Sequence, residues 1–346
     1  MEQRLKVIQL LEKKRKSKII AYITSDRPGL LNAQMSGDVI PWFYRQLKEI
    51  GFSKRIDLFI YSSGGDIIVP WRLTNLIREF CDEFGVIIPY KSHSAATLLA
   101  MGADEILMGP LGELSPIDPM ITTPFNPAPA DNPKQKIQIN VEDVIGYLNL
   151  AKDKKRVGLT NQTNLLKVFE KLSDAVHPLV LGATYRSHTL IRLLATKTLK
   201  QHRKNKYNET EIEQIVDKLA EKLYYHNYFI SRMEAKELGL KVTVPDNKTE
   251  NLIWSLYLEY ETLIGLTKQF NPLEYFTNEP QINIDKEFTI GIIESEQMTI
   301  EGKHKLKLIK ITPPPPVSVP QIQVQSLGFK WEMTRPKEES NVSLNS

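Results

Sequence analysis

The tightest constraint on this chain lies between residues 56 and 108, where short apolar runs alternate with helical patterns. Residues 56–61, 85–90 and 104–108 are apolar, rich in Ile, Val and Phe, and too short for helices, so they read as strands. Helical periodicity fills 67–80 and 94–102 between them. Strands joined through helices run parallel and are covered on both faces. The expected fold class is therefore α/β, a mostly parallel sheet flanked by helices.

Two of these strands end alike. Asp57-Leu-Phe-Ile-Tyr-Ser-Ser-Gly-Gly-Asp66 runs from an apolar strand into a Gly-Gly turn, where amide groups can face a ligand without a Cβ in the way. Ile87-Ile-Pro-Tyr-Lys-Ser-His-Ser-Ala-Ala-Thr-Leu-Leu-Ala100 runs from a strand through a serine into small residues at a helix start. A serine hydroxyl beside a glycine-rich amide turn is the minimum equipment for acyl transfer. Ser94 is the candidate nucleophile, with Ser92 its rival in the same turn. An ordinary helix-capping serine explains the pattern as well. Gly64 and Gly65 are the candidate oxyanion donors, with the N–H of Ala95 as a further one. A tight turn alone would also account for the glycines. Asp66 reads equally as an orienting group or as a carboxylate at a helix start.

Four segments in order resemble the Clp protease and signal peptide peptidase A group within the crotonase superfamily, most closely the serine dehydrogenase proteinase family. They are Ile60-Tyr-Ser-Ser-Gly-Gly-Asp66, Ser94-Ala-Ala-Thr-Leu-Leu-Ala-Met-Gly-Ala-Asp-Glu-Ile106, Leu111-Gly-Glu-Leu-Ser-Pro-Ile-Asp-Pro119 and Ile230-Ser-Arg-Met-Glu-Ala-Lys-Glu-Leu-Gly-Leu240. His226-Asn-Tyr-Phe-Ile230 echoes a further motif of that family. The resemblance spans roughly residues 17–245 and implies a ClpP/crotonase-like fold and a serine peptidase acting on peptides or unfolded segments. It favours Ser94 over Ser92. Clp proteases carry their histidine in the loop where this chain has Asp118, and their acid near the place of His226. The resemblance thus suggests a triad of Ser94, His226 and Asp118 with base and acid exchanged, since such sets are recognised by geometry and not by chain order. Signal peptide peptidases use a lysine, and Lys91, Lys134 and Lys136 are the lysine alternatives. His93 is read as a wall residue, because adjacent side chains at a strand end point apart. A non-catalytic scaffold subunit that keeps the fold is the second reading. An acyl-CoA enzyme with the same oxyanion hole is the third.

The remaining sequence bounds these readings. Lys and Arg number 45 and Asp and Glu 41, a net charge of +4, which does not suggest nucleic-acid binding. The single cysteine, Cys81, forms no intrachain disulfide and fits a reducing cytoplasm, the expected location. The histidines lack metal-ligand spacing and no phosphate or dinucleotide loop is present, so no metal and no cofactor are expected. No apolar run reaches the ~18 residues of a membrane span, and the N-terminus lacks a signal peptide's apolar core.

The composition and periodicity along the chain predict four segments. Residues 1–16 form an amphipathic helix ending in a solvated basic cluster, Lys13 to Lys18. Residues 17–245 form the main domain, with a helical insertion at 141–224 after an irregular, mobile loop at 119–137. Residues 246–312 hold a helix and a small β appendix. Residues 313–346 form a Pro-rich linker and disordered tail. A homo-oligomer is expected, with 141–224, Trp71 and Trp331 as candidate contacts.

Overall fold

The computed structural model describes residues 1–129, 131–132, 134–204, 206–222, 228–276, 282–311 and 321–335. The chain divides into two compact units, Met1–Glu113 with Lys241–Ser346, and Leu114–Leu240.

The first unit is built on an eight-stranded sheet. Its strands are β1 (Lys18–Thr24), β2 (Ser53–Tyr61), β3 (Cys81–Ile88), β4 (Glu105–Met108), β5 (Val242–Thr243), β6 (Asn283–Glu294), β7 (Thr299–Ile311) and β8 (Gln321–Arg335). They lie in the order β5-β4-β3-β2-β1-β6-β7-β8. The β5-to-β1 pairings are parallel, whereas β6, β7 and β8 add on antiparallel. The helices are α1 (Glu2–Arg15), α2 (Ile40–Ile50), α3 (Ile68–Arg78), α4 (Ala95–Met101) and α5 (Asn247–Ile264). Side chains alternate along each strand. Ile19, Ala21 and Ile23 of β1, with Phe59 and Tyr61 of β2, pack against Val7, Ile8 and Leu11 of α1 and Ile253, Leu256 and Tyr260 of α5. Tyr22 points the other way and meets the ring of Phe43 on α2 edge-on, 5.3 Å between centroids. The α/β class with flanking helices is thus as expected.

The β appendix is present, but it continues the main sheet. Glu294 at the end of β6 is fully buried and accepts from Arg4 of α1, Tyr260 of α5 and Thr299 of β7. Gln46 of α2 is likewise buried and donates to the carbonyls of Ile293 and Met298.

The expected disordered tail is corrected over Gln321–Arg335, which forms β8. Gly291 and Gly302 face each other across β6 and β7. Trp331 lies over both, its ring 2.7 Å from where a Cβ on Gly291 would sit, and Phe329 covers Gly302. Ile322 and Val324 pack on a small core with Leu306 and Leu308. A Ser/Glu/Lys-rich composition had outweighed this alternating Ile/Val pattern in the sequence.

The N-terminal basic cluster is solvated at Lys13, Lys14 and Lys16, but Arg15 and Lys18 are half-buried and paired. Arg15 binds Asp57 and Glu105, Lys18 binds Glu12 and Glu296, and Lys14 binds Asp246. Asp57 is buried, so its charge requires the two arginines, Arg15 and Arg55, that surround it.

The second unit is mainly helical, with helices Val141–Lys152, Gln162–Ala175, Pro178–Lys200, Glu209–Asp217 and Arg232–Glu237. Local side chains start them: Asn140, Asn161, His177, Asn208 and Ser231 each accept from a first-turn N–H. The irregular segment before them is pinned by buried Asn126, which accepts from Thr123 and donates to the carbonyls of Ile121 and Ile137. No helix among the described residues is long and apolar enough to cross a membrane.

Candidate active site

The parallel pairing of β2 and β3 continues past the strand ends. Ser62 N–H donates to the Lys91 carbonyl and His93 N–H donates to the Ser62 carbonyl, each at 3.0 Å. This brings the Gly-Gly turn alongside the start of α4. A Cβ on Gly64 would lie 2.9 Å from Ser94 Cβ and 3.0 Å from Ala95 N, so only glycine allows this approach. Gly65 packs in the same way on the backbone of Met35, whose N–H donates to the Gly64 carbonyl at 2.7 Å and whose carbonyl accepts from Asp66 N–H at 2.9 Å. Both glycines have positive φ, 100° and 150°.

Ser94 stands at φ 50° and ψ −115°, immediately before α4, and its side chain makes no helix-capping hydrogen bond. That backbone region is sparsely populated by non-glycine residues, costs about 1–3 kcal/mol, and occurs where surrounding structure imposes it. A sharp, strained strand-to-helix turn is also how a nucleophilic serine is projected from a sheet edge. Ser94 is half-buried, whereas Ser92 is fully buried. The hydroxyl of Ser92 therefore has no route to a substrate.

The expected oxyanion donors differ in what they do here. The N–H of Gly64 donates to Ser62 Oγ at 3.1 Å. Ala95 contributes the first N–H of α4, for which a helix provides no internal acceptor. Asp66 accepts from Ile68 N–H at 2.9 Å, a local cap at the start of α3.

Of the candidate bases, Lys91 binds Asp26 at 2.7 Å. Burial by itself would lower its pKa, but the hydrogen bond and charge of Asp26 outweigh that and raise it. Lys91 thus stays charged at neutral pH. Asp118 is buried in the second unit and His226 lies outside the described residues. Lys134 and Lys136 also belong to the second unit.

One pairing was not legible in the sequence. His93 Nε2 lies 3.0 Å from Glu113 Oε1. Burial raises the Glu113 carboxyl above its ordinary range, with the Lys91 charge opposing. His93, expected as a wall residue, thus has a carboxylate partner. Among the described residues no group of three or more His, Cys, Asp or Glu side chains is placed to hold a metal.

The chain is 26% identical over 249 residues to one uncharacterised protein of Methanocaldococcus jannaschii, covering 69% of this chain and 73% of that one. A second from the same organism is 24% identical over 187 residues, covering 54% and 51%. Two solved structures of mutants of the 1510-N membrane-bound stomatin-specific protease, one in complex with a substrate peptide, align over 67% of this chain. They cover 83% and 78% of those chains at 13% identity, with TM-scores of 0.37 and 0.38. The profile of the ClpP-like SDH-type serine proteinase family matches residues 1–145, the segment that carries the Gly64–Gly65 turn, Ser94 and Asp118, and the family resemblance read from the sequence is thereby borne out.

Proposed function

We propose that this chain is a serine peptidase that hydrolyses peptide bonds through Ser94. The observation that carries the reading is the strained backbone of Ser94 at a strand-to-helix turn, with its Cβ against the Gly64–Gly65 turn. The match to a serine proteinase family supports it. In this mechanism Ser94 Oγ attacks the scissile carbonyl, and the tetrahedral oxyanion is held by backbone N–H groups of Gly65 and Ala95. Gly64 contributes by its missing Cβ while its own N–H holds the turn through Ser62. Removing one such donor typically costs ~10²–10³ in rate. His226 would take the serine proton and Asp118 would orient it. The His93–Glu113 pair, one residue from the nucleophile, is the specific alternative for the base.

The test is labelling with a fluorophosphonate probe, followed by peptide mapping. Modification at Ser94, lost in Ser94→Ala together with peptide hydrolysis, is the expected result. No labelling, with normal folding and assembly, would favour a catalytically inactive ClpP-like scaffold. Turnover retained in full by Ser94→Ala would end the assignment.

A further inference from the structure

Next to the Gly-Gly turn lies a pocket of about 450 Å³ that the family-matched segment does not complete by itself. Its lining comes from the loop after β1, including Gln34, Ser36 and Asp38, and from β6, β7 and β8, including Ile290, His304, Phe329 and Trp331. Strands β6 to β8 lie outside the residues that match the family.

Gln34 and Ser36 flank Met35, the residue whose backbone pairs with Gly64 and Asp66. One residue step of ~3.8 Å and one strand spacing of ~4.8 Å therefore separate the pocket's rim from the oxyanion turn. That is about the reach of two or three residues of an extended peptide held at Ser94.

The chemistry of the lining is specific. Trp331 and Phe329 stand edge to face, 5.5 Å between ring centroids. Trp331 Nε1–H donates to Asp38 Oδ2 at 2.8 Å. His304 places Nδ1 2.7 Å from the Leu30 carbonyl and Nε2 2.8 Å from Ser326 Oγ. The first contact requires Nδ1 to donate, and Ser326 Oγ can pair with Nε2 as donor or acceptor. Asp38 is the one carboxylate among the described lining residues. A carboxylate beside two aromatic rings, with no Lys or Arg among the described lining residues, favours a cation.

We infer that this pocket is a side-chain subsite for a basic residue of the substrate, Arg above all, with the C-terminal strand β8 supplying the aromatic wall and Asp38 the counter-charge. The inference rests on the peptidase reading for the class of its ligand. Asp38 would take the guanidinium, and the face of one of the two perpendicular rings would stack on its plane. Trp331 and Phe329 would be specificity residues and not catalytic ones.

The experiment reads binding separately from cleavage. Full-length Ser94→Ala protein is titrated with fluorescein-labelled decapeptides carrying one central Arg, or citrulline, its uncharged isostere. The Arg peptide is expected to bind about tenfold tighter. Asp38→Asn, which keeps the shape and an acceptor for Trp331, should bring the ratio close to one and leave the citrulline peptide's affinity unchanged. Phe329→Leu should weaken both Arg binding and the ratio. Equal affinity for the two peptides in the parent protein overturns the inference without any variant, as does an undiminished ratio in Asp38→Asn. Hydrolysis by the wild-type chain is measured alongside. Preference for Arg without hydrolysis keeps the subsite and removes the peptidase reading, whereas hydrolysis with no preference does the reverse.

Discussion

Ser94 holds a backbone conformation that alanine tolerates no better than serine, and the conformation persists because its surroundings impose it. Gly64 fits against its Cβ, His93 is fixed on Ser62, and α4 begins at once with buried Ala95 and Ala96. Ser94→Ala is therefore expected to keep the fold while losing activity. The proton acceptor is the question that side-chain substitution answers best. If His226 and Asp118 act as one relay, the two alanine variants should each lower the rate strongly, and the double variant by little more than either. Additive losses would count against a shared relay. A large loss in His93→Ala, with His226→Ala unaffected, would move the role to the His93–Glu113 pair. Lys91 is expected to be structural. Lys91→Arg preserves the ion pair with Asp26 and should retain most activity in a steady-state peptide assay. A loss equal to that of Ser94→Ala would instead make Lys91 the base.

Helix α1 illustrates what an element does when its charges are used internally. Its apolar face lies on α5 and β1, and Arg15 at its end reaches Asp57 on β2 and Glu105 on β4. Burial would push Glu105 up, but the hydrogen bonds of Arg15 and Thr243 and the charges of Arg15 and Arg55 bring it down to about 2. A carboxyl lowered on folding from an ordinary ~4.3 stabilises the fold above that pH, and the contribution disappears as pH falls toward 2. Arg15→Ala should cost about 2–3 kcal/mol near neutrality, below the usual 3–5 for a broken buried pair because Arg55 and Ser17 still serve Asp57. The gap in Tm between wild type and variant should narrow between pH 5 and pH 3. A gap that stays constant over that range would show that Glu105 is not linked to Arg15 in this way.

At the scale of the whole chain, an unregulated peptidase would cut the exposed loops of its neighbours, and enclosure in an assembly is the common physical remedy. We propose a homo-oligomer. The second unit exposes Leu166, Phe169, Leu179 and Tyr185 on its helices, apolar surface of the kind that subunits cover. Trp331, one of the contacts expected from the sequence, is instead engaged within its own chain. Light scattering at micromolar concentration should give a mass of several chains. A value of 39.7 kDa across the concentration range would remove the chamber and favour a subunit that needs a different partner.

The α/β class, the positions of β2, α3, β3 and α4, and the serine beside a Gly-Gly turn were all readable from residue order. Each rests on local physics: strand and helix periodicity, and a turn that excludes Cβ. A helix after residue 246 was legible too, as α5. The sheet's full extent was not. Whether β6 to β8 stood apart or joined β1 depended on Glu294 meeting Arg4 and on Trp331 lying over Gly291, contacts between residues 290 and 40 positions apart. The place of Arg15 and Lys14 depended likewise on carboxylates, Asp57, Glu105 and Asp246, that sequence distance hides. The resemblance favoured Ser94 over Ser92 from the sequence, but the burial of Ser92 and the strain at Ser94 against Gly64 are tertiary. Local pattern determines which element a segment forms, because its hydrogen bonds are made nearby. Which charges are neutralised, which hydroxyl meets solvent and which glycine is covered are decided only when distant segments are brought into contact.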